Sequence, residues 1–168
     1  MTGVVVADTG PLIGLGRVGH LNLLRELYQR ILIPPAVHDE LRLGSGRPGA
    51  EQSAEAVAQG WLQVRETSRV SAPSVSELVL VLDLGEAEAI LLAEEVECRF
   101  LLIDERKGRA VAKRRGIPVV GVAGVLLTAK KRGLIDLVLP ILKNLERAGY
   151  RVSVELVQEI ARLAGEDG

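Results

Sequence analysis

Short, uniformly apolar runs alternate with longer amphipathic segments along the chain. The apolar runs are rich in β-branched residues and have the length of strands that are covered on both faces. They predict strands at residues 4–7, 31–33, 61–66, 99–103 and 118–121. Strands that alternate with helices favour a parallel sheet with helices on both faces. The predicted fold class is therefore α/β, a three-layer sandwich with a central parallel sheet flanked by helices.

The amphipathic segments have apolar side chains on one side at the spacing of a helix. The prolines at 34 and 35 predict a helix start, because proline suits the first helical turn. The glycine-rich residues 44–49 predict a loop, and residues 83–85 a break between two helices. The predicted helices are at 12–15 (a helix beginning), 20–28, 34–43, 51–59, 74–82, 86–97, 105–115, 124–132, 136–147 and 153–164.

Two aspartates stand directly after predicted strands. Asp8 follows the first strand and Asp104 follows the strand at 99–103. In open parallel sheets the functional crevice lies outside the carboxyl ends of the strands, so both carboxylates are expected at one edge. Either aspartate alone is also typical of a helix N-cap, which accepts backbone hydrogen bonds.

Two glutamates fall on the apolar sides of their predicted helices. A helical wheel places Glu40 inward and its neighbour Asp39 in solvent. In the next such helix the wheel places Glu86 within the apolar stripe, and Glu88 at the edge or on the far side. For Glu86 the alternative is a favourable interaction with the helix dipole, because acidic residues suit the first turn.

Taken together, the four acids favour a metal site over four separate structural roles. Four carboxylates within a few ångströms cannot all stay ionised without a cation. Ligands that are all oxygen suit Mg²⁺ or Mn²⁺. The candidate ligands are Asp8, Glu40, Glu86 and Asp104.

The amino-acid composition limits the classes of binding partner and the cellular compartment that we expect. The formal net charge of −1 gives no overall attraction for a polyanion, and 2% aromatic residues argue against a base-stacking platform. Cys98 is the single cysteine, which excludes an intramolecular disulfide and a multi-cysteine zinc site. No apolar stretch approaches the ~20 residues of a membrane helix, and the start does not resemble a secretory signal. We therefore expect a soluble, cytoplasmic protein with no membrane partner.

Several motifs in order resemble the PIN domain family, metal-dependent ribonucleases that include VapC-type toxins. The matching stretches are "VVVADTGPLI", "ILIPPAVHDEL", "LDLGEAEAILLA" and "FLLIDERKGRAVAKRRGIPVVG". The end of the chain resembles a bacterial and archaeal branch of predicted nucleic-acid-binding proteins that contain a PIN domain. The resemblance implies a PIN-like nuclease domain over residues 1–135 and a helical extension over 136–168, packed on the same domain or at a dimer interface.

The resemblance also implies roles for individual residues. Asp8, Glu40, Glu86 and Asp104 match the acidic positions of the family in order and would be both its metal ligands and its catalytic residues. Thr9 matches the small hydroxyl residue that commonly follows the first acid, and it would orient a ligand or a water.

The predicted helix at 105–115 carries cations on one broad side. Such residues can hold phosphates without reading sequence; a solvated helix face is the alternative. The candidate nucleic-acid-binding residues are Arg106, Lys107, Arg109, Lys113 and Arg114.

The sequence thus predicts a metal-dependent ribonuclease with RNA as its substrate. The resemblance further suggests a homodimer and, if the protein is a toxin, a small antitoxin partner. One alternative is a PIN-fold protein with little or no catalysis that binds RNA or a partner. A haloacid-dehalogenase phosphatase is disfavoured because Gly10 occupies the place of its second aspartate. A receiver domain is disfavoured because no pair of acids ends the first strand.

Overall fold

A parallel sheet of short strands forms the centre of the molecule. The structure, a computed structural model, describes residues 3–43, 46, 49–68 and 73–168. Within these ranges the sheet has five strands in the order β3-β2-β1-β4-β5. They are β1 (Val5–Ala7), β2 (Ile31–Ile33), β3 (Leu62–Val64), β4 (Phe100–Leu102) and β5 (Val119–Val120). The strands β2 and β3 lie on one side of β1, and β4 and β5 lie on the other side. The direction of the strand order thus reverses between β1 and β4, and in such sheets the functional crevice lies at this reversal.

The two faces of the sheet are both covered, as its uniformly apolar strands require. Val5 pairs in register with Ile31 and with Phe100, and all three belong to one core cluster. The next residues along, Val6 and Leu32, point to the opposite face and belong to a second cluster. Because successive side chains of a strand point to opposite faces of the sheet, each apolar run contributes residues to both core clusters. The predicted α/β class with a central parallel sheet is confirmed.

Helices occupy both faces of this sheet. Those of the described chain are α1 (Thr9–Arg17), α2 (Asn22–Tyr28), α3 (Pro35–Leu43), α4 (Ala50–Gln59), α5 (Pro73–Leu78), α6 (Leu84–Glu95), α7 (Arg106–Arg114), α8 (Val122–Lys131), α9 (Leu139–Arg147) and α10 (Val154–Ala164). The first core cluster takes residues from α1, α2, α3, α4, α8, α9 and α10, and the second from α5, α6 and α7. Of the described helices, none has the length and apolar character needed to cross a membrane.

The predicted and observed helix boundaries differ by up to four residues: α5 ends at residue 78 rather than 82, α1 begins at 9 rather than 12, and α9 begins at 139 rather than 136. At α6 the position of the predicted break is wrong. Residues 83–85 were expected to separate two helices, yet Leu84 and Gly85 belong to the first turn of α6. Asp83 is the N-cap and accepts a hydrogen bond from the Glu86 amide at 2.8 Å, so the helix begins two residues before the predicted start. Of the predicted loop at 44–49, residues 44, 45, 47 and 48 lie outside the described residues.

The last two helices pack on the body of the domain. Leu142 and Leu145 of α9 and Ile160 of α10 are buried in the first core cluster. Glu166, just after α10, accepts hydrogen bonds from the backbone amides of Val138 at 2.8 Å and Leu139 at 3.0 Å. Its carboxylate also pairs with Lys130 at 2.9 Å. One side chain therefore joins the end of the chain to α8 and to the start of α9.

Candidate active site

One cleft of about 500 Å³ opens at the carboxyl edge of the sheet. We call it the acid cleft, because its lining includes the four acids that the sequence singled out: Asp8, Glu40, Glu86 and Asp104. Thr9, the predicted supporting residue, also lines it. The structure therefore brings together side chains from four separate segments of the chain.

The two aspartates that follow strands do not cap the helices that come directly after them. Asp8 stands at the N-cap position of α1, yet its side chain makes no capping hydrogen bond there. Asp104 is followed by Glu105, which is the N-cap residue of α7. Asp104 instead accepts a hydrogen bond at 3.0 Å from the amide of Val122, the first residue of α8. Neither side chain therefore caps the helix that follows it in the chain.

Helix α3 presents its two neighbouring acids to different environments. Glu40 is half-buried and lines the acid cleft. Asp39 is exposed and pairs with Arg42 one turn later, at 3.0 Å. The apolar side of α3 therefore carries one carboxylate toward the cleft, while the adjacent one remains in solvent.

Glu86 has one oxygen in a structural role and one without a partner. Its Oε1 accepts a hydrogen bond from the Asp83 amide at 3.3 Å, which completes a capping box at the start of α6. Its Oε2 is buried and accepts no hydrogen bond from the described residues. A buried carboxylate oxygen without a donor is costly, so the capping role alone does not account for this side chain.

Burial and the charges of nearby carboxylates raise the pKa values of Asp8, Glu86 and Glu40. Asp8 is 7% exposed, and burial together with the charges of Glu86, Asp83 and Glu40 raises its pKa to about 7. Burial, and then the charge of Asp83, raises the pKa of Glu86 to about 7. The pKa of Glu40 is raised as well, first by burial and then by neighbouring carboxylates. Such perturbed groups in a cleft are typical of functional sites.

Three of the four acids lie against a glycine of another element. An ideal Cβ at Gly85 would stand 2.3 Å from Oε1 of Glu40, and one at Gly121 would stand 2.3 Å from Oδ1 of Asp104. At Gly108 the Cβ would stand 2.9 Å from Oε2 of Glu86. Any larger residue at these positions would displace a carboxylate oxygen. The glycines therefore leave room for these carboxylates at the cleft.

The donor set suits a hard divalent cation, although the acids do not converge on one point. The carboxylates supply only oxygen ligands, and Oε2 of Glu86 is a buried donor without a partner. Across the described residues, no group of three or more acidic, histidine or cysteine side chains has the spacing to hold one ion. An ion bound here would therefore need side-chain adjustment or bridging waters, which Mg²⁺ commonly retains.

The predicted nucleic-acid-binding cations divide between two locations. Lys107 is exposed and lines the acid cleft. Arg109 is half-buried and donates to the backbone oxygen of Ile103 at 2.7 Å, which gives it a structural contact. The other three cations on α7 are exposed but do not line the cleft; they are Arg106, Lys113 and Arg114.

The cleft lining that the sequence did not single out includes Asp83, Tyr150 and Arg151. Asp83, three positions before Glu86, has the spacing of a capping box, and that signal was available. Tyr150 and Arg151 lie between α9 and α10. Their sequence context carries no signal, because an isolated tyrosine in a polar loop matches no periodic pattern.

The predicted position of Glu88 is wrong. Glu88 was expected at the edge or on the far side of its helix, but it is 5% exposed. Its Oε1 accepts a hydrogen bond at 3.1 Å from the amide of Ala36, in the first turn of α3. The helical-wheel prediction assumed one solvent-exposed side, but α6 is buried on every side.

Comparison with known proteins assigns the chain to a family. The family model DUF3368, described as a PIN domain, matches residues 4–166. A similar solved structure is that of a PilT N-terminus domain protein from the hyperthermophilic archaeon Sulfolobus solfataricus P2, with a TM-score of 0.50 and 16% identity. The similarity covers 75% of this chain and 92% of that one, and at this identity it shows the fold alone. No curated protein matches the chain. Since the family model spans nearly the whole sequence, the chain belongs to the PIN domain family, whose members are generally nucleases.

Proposed function

We propose that the protein is a divalent-metal-dependent endoribonuclease. The observation that carries this proposal is the convergence of four carboxylates on one cleft, where the pKa values of two of them are raised to about 7. Such a concentration of negative charge is stabilised by a cation, and carboxylate ligands favour Mg²⁺ or Mn²⁺. The residues that would hold the ion, directly or through water, are Asp8, Glu40, Glu86 and Asp104.

The ion, when bound, would supply a Lewis acid that polarises the scissile phosphate and lowers the pKa of an attacking water. The chain's own residues supply position and charge. The Thr9 hydroxyl is buried in the cleft wall, and its interaction with the Glu40 carboxyl partly offsets the rise in the pKa of that group. It is therefore suited to orient a ligand or a water beside Asp8. The attack would be in line on the phosphodiester, with no covalent bond to the protein.

Cations on two walls support an RNA path across the acidic site. Lys107 comes from α7 and Arg151 from the segment between α9 and α10, and both are exposed where they line the cleft. Lys and Arg contacts of this kind bind phosphates and position a strand without selecting its sequence. They would offset the repulsion between the carboxylates and the RNA backbone.

The test is cleavage of a single-stranded RNA by wild type and Asp8→Asn in Mn²⁺ or Mg²⁺. We expect the variant to lose at least about 100-fold in rate, because it removes a ligand charge from the centre of the site. Asp39→Asn is the matched control, since Asp39 is exposed on α3 and outside the cleft. Equal cleavage by wild type and Asp8→Asn would exclude this function.

We further propose that the nuclease is the toxin of a cytoplasmic toxin–antitoxin pair and acts as a homodimer. Helix α10 supports the second part, because it leaves three apolar side chains exposed in the monomer: Val154, Leu156 and Leu163. A second copy or a small antitoxin could cover them. Light scattering of the purified protein, alone and with the product of an adjacent small gene, would distinguish these partners.

A second candidate is a PIN-fold protein that binds RNA or a partner with little catalysis. The observation that favours it is that the described acids do not group at the spacing of a metal site. Calorimetric titration with Mn²⁺ distinguishes the two candidates. Binding that Asp8→Asn weakens supports the nuclease, and no binding by wild type supports the second candidate.

A further inference from the structure

Tyr150 reaches the acid cleft from a segment far along the chain. It follows Gly149, whose φ of 95° lies in the region that favours glycine and turns the chain after α9. The Tyr150 amide donates to the backbone oxygen of Leu145 at 2.9 Å, which fixes the backbone at this point. The ring then lies among cleft residues rather than in solvent.

The ring packs in a place that α1 leaves open for it. An ideal Cβ at Gly14 would stand 2.8 Å from Cε2 of Tyr150 and 2.9 Å from Cδ2. Since Gly14 lies on the same helix that begins beside Asp8, the contact sets the distance of the ring from that end of the cleft. The position of Tyr150 is thus determined both by its backbone and by its ring.

The Tyr150 hydroxyl donates a hydrogen bond to Oδ2 of Asp104. The same oxygen accepts the amide of Val122 at 3.0 Å. Two donors occupy the two lone pairs of a carboxylate oxygen. The other oxygen, Oδ1, lies against Gly121. The orientation of the carboxylate is therefore set by one backbone donor and one side-chain donor.

We propose that Tyr150 is a positioning residue that holds Asp104 for metal binding through Oδ1. This inference rests on the proposed metal site. Hydrogen-bond donors to a ligating carboxylate fix its orientation before the ion arrives, and their loss typically costs 10–100-fold in metal affinity. Without the hydroxyl, Asp104 keeps a single donor from the backbone, and its carboxylate becomes free to rotate.

The variant that isolates the hydroxyl is Tyr150→Phe, which keeps the ring against Gly14. The control is Tyr28→Phe, because Tyr28 is the other of the two tyrosines in the chain and does not line the cleft. The ring of Tyr28 packs on Phe100 with centroids 5.1 Å apart, so the phenylalanine also fits there. Mn²⁺ affinity is measured for each full-length protein by electron paramagnetic resonance of the free ion.

We expect Tyr150→Phe to weaken Mn²⁺ binding about 10-fold or more, and Tyr28→Phe to bind as wild type does. RNA cleavage by Tyr150→Phe should return to within about threefold of wild type at saturating Mn²⁺, because affinity rather than the chemical step is changed. An unchanged Mn²⁺ affinity in a folded Tyr150→Phe protein overturns the inference but leaves the nuclease proposal intact. No Mn²⁺ binding by wild type overturns both.

A measurement on the wild-type protein covers the case in which Tyr150→Phe does not fold. With two tyrosines, the ring signals of ¹³C-tyrosine-labelled protein are few, and Tyr28→Phe assigns them. Substoichiometric Mn²⁺ should broaden the Tyr150 signals well before those of Tyr28. Equal broadening of both, with Mn²⁺ bound, would place the ion elsewhere and overturn the inference.

Discussion

At the scale of single residues, the cleft holds carboxylates whose ionisation opposes folding. Burial and neighbouring charge raise the pKa of Asp8 and that of Glu86 to about 7, from ordinary values near 4. An acid whose pKa rises on folding binds more protons in the folded state than in the unfolded state. The free energy of unfolding therefore falls as the pH rises from about 4 to about 7. Any cation bound at neutral pH would offset this loss.

We predict that the metal-free protein is less stable at pH 8 than at pH 5, by on the order of 1–3 kcal/mol. Asp8→Asn should reduce this difference and should be more stable than wild type at pH 8, because it removes a buried charge. Urea unfolding in EDTA at the two pH values measures both effects. Asp39→Asn is the control and should follow wild type. Equal or greater stability of wild type at pH 8 would contradict the assignment of raised pKa values.

At the scale of elements, α6 shows where sequence reasoning succeeds and where it stops. The wheel placed Glu86 inward, and Glu86 does line the cleft. The same helical wheel predicted a wrong position for Glu88, because α6 is covered by other elements on every side. The helix therefore has no solvent-exposed face on which Glu88 could lie. Glu88 instead satisfies a backbone amide of α3. Periodicity predicts orientation only for helices with one exposed side.

We predict that Gly85→Ala separates stability from activity. Within α6 the change favours the helix by up to about 1 kcal/mol, because alanine has the higher helix propensity. The new Cβ would stand 2.3 Å from Oε1 of Glu40, which is the end of a flexible side chain and can move aside. Melting temperature should stay within a few degrees of wild type, while Mn²⁺ affinity and RNA cleavage fall about 10-fold or more. Unchanged Mn²⁺ affinity would show that Glu40 does not act from this position.

At the scale of the whole molecule, the strands were predictable and the assembly of the cleft only partly so. Apolar runs identified every strand of the described sheet, and the strand ends identified Asp8 and Asp104. Tyr150 was not predictable, because its contact with Asp104 spans 46 residues and depends on how α9 packs. The C-terminal helices lie on the same core as α1 and α8, and Glu166 joins them to Lys130.

We predict that Glu166→Ala lowers the free energy of unfolding by about 1–3 kcal/mol, because two amides at the start of α9 and the Lys130 ammonium lose their acceptor. For a chain of this size the melting temperature should fall by several degrees. Asp167→Ala, at the exposed neighbouring residue, should melt as wild type does. Calorimetry measures both, and a Glu166→Ala protein that melts with wild type would contradict this role.

The contact between Tyr150 and Asp104 also has a consequence for synthesis. During translation, the four cleft acids emerge from the ribosome well before Tyr150 and Glu166. These acids are Asp8, Glu40, Glu86 and Asp104. A nascent chain therefore carries these four acids while Tyr150 and the contacts of Glu166 with the start of α9 are still missing. If Tyr150 positions Asp104 as we infer, the site matures only after the segment that follows α9 has emerged from the ribosome and packed on the domain, so the order of synthesis would delay activity until then.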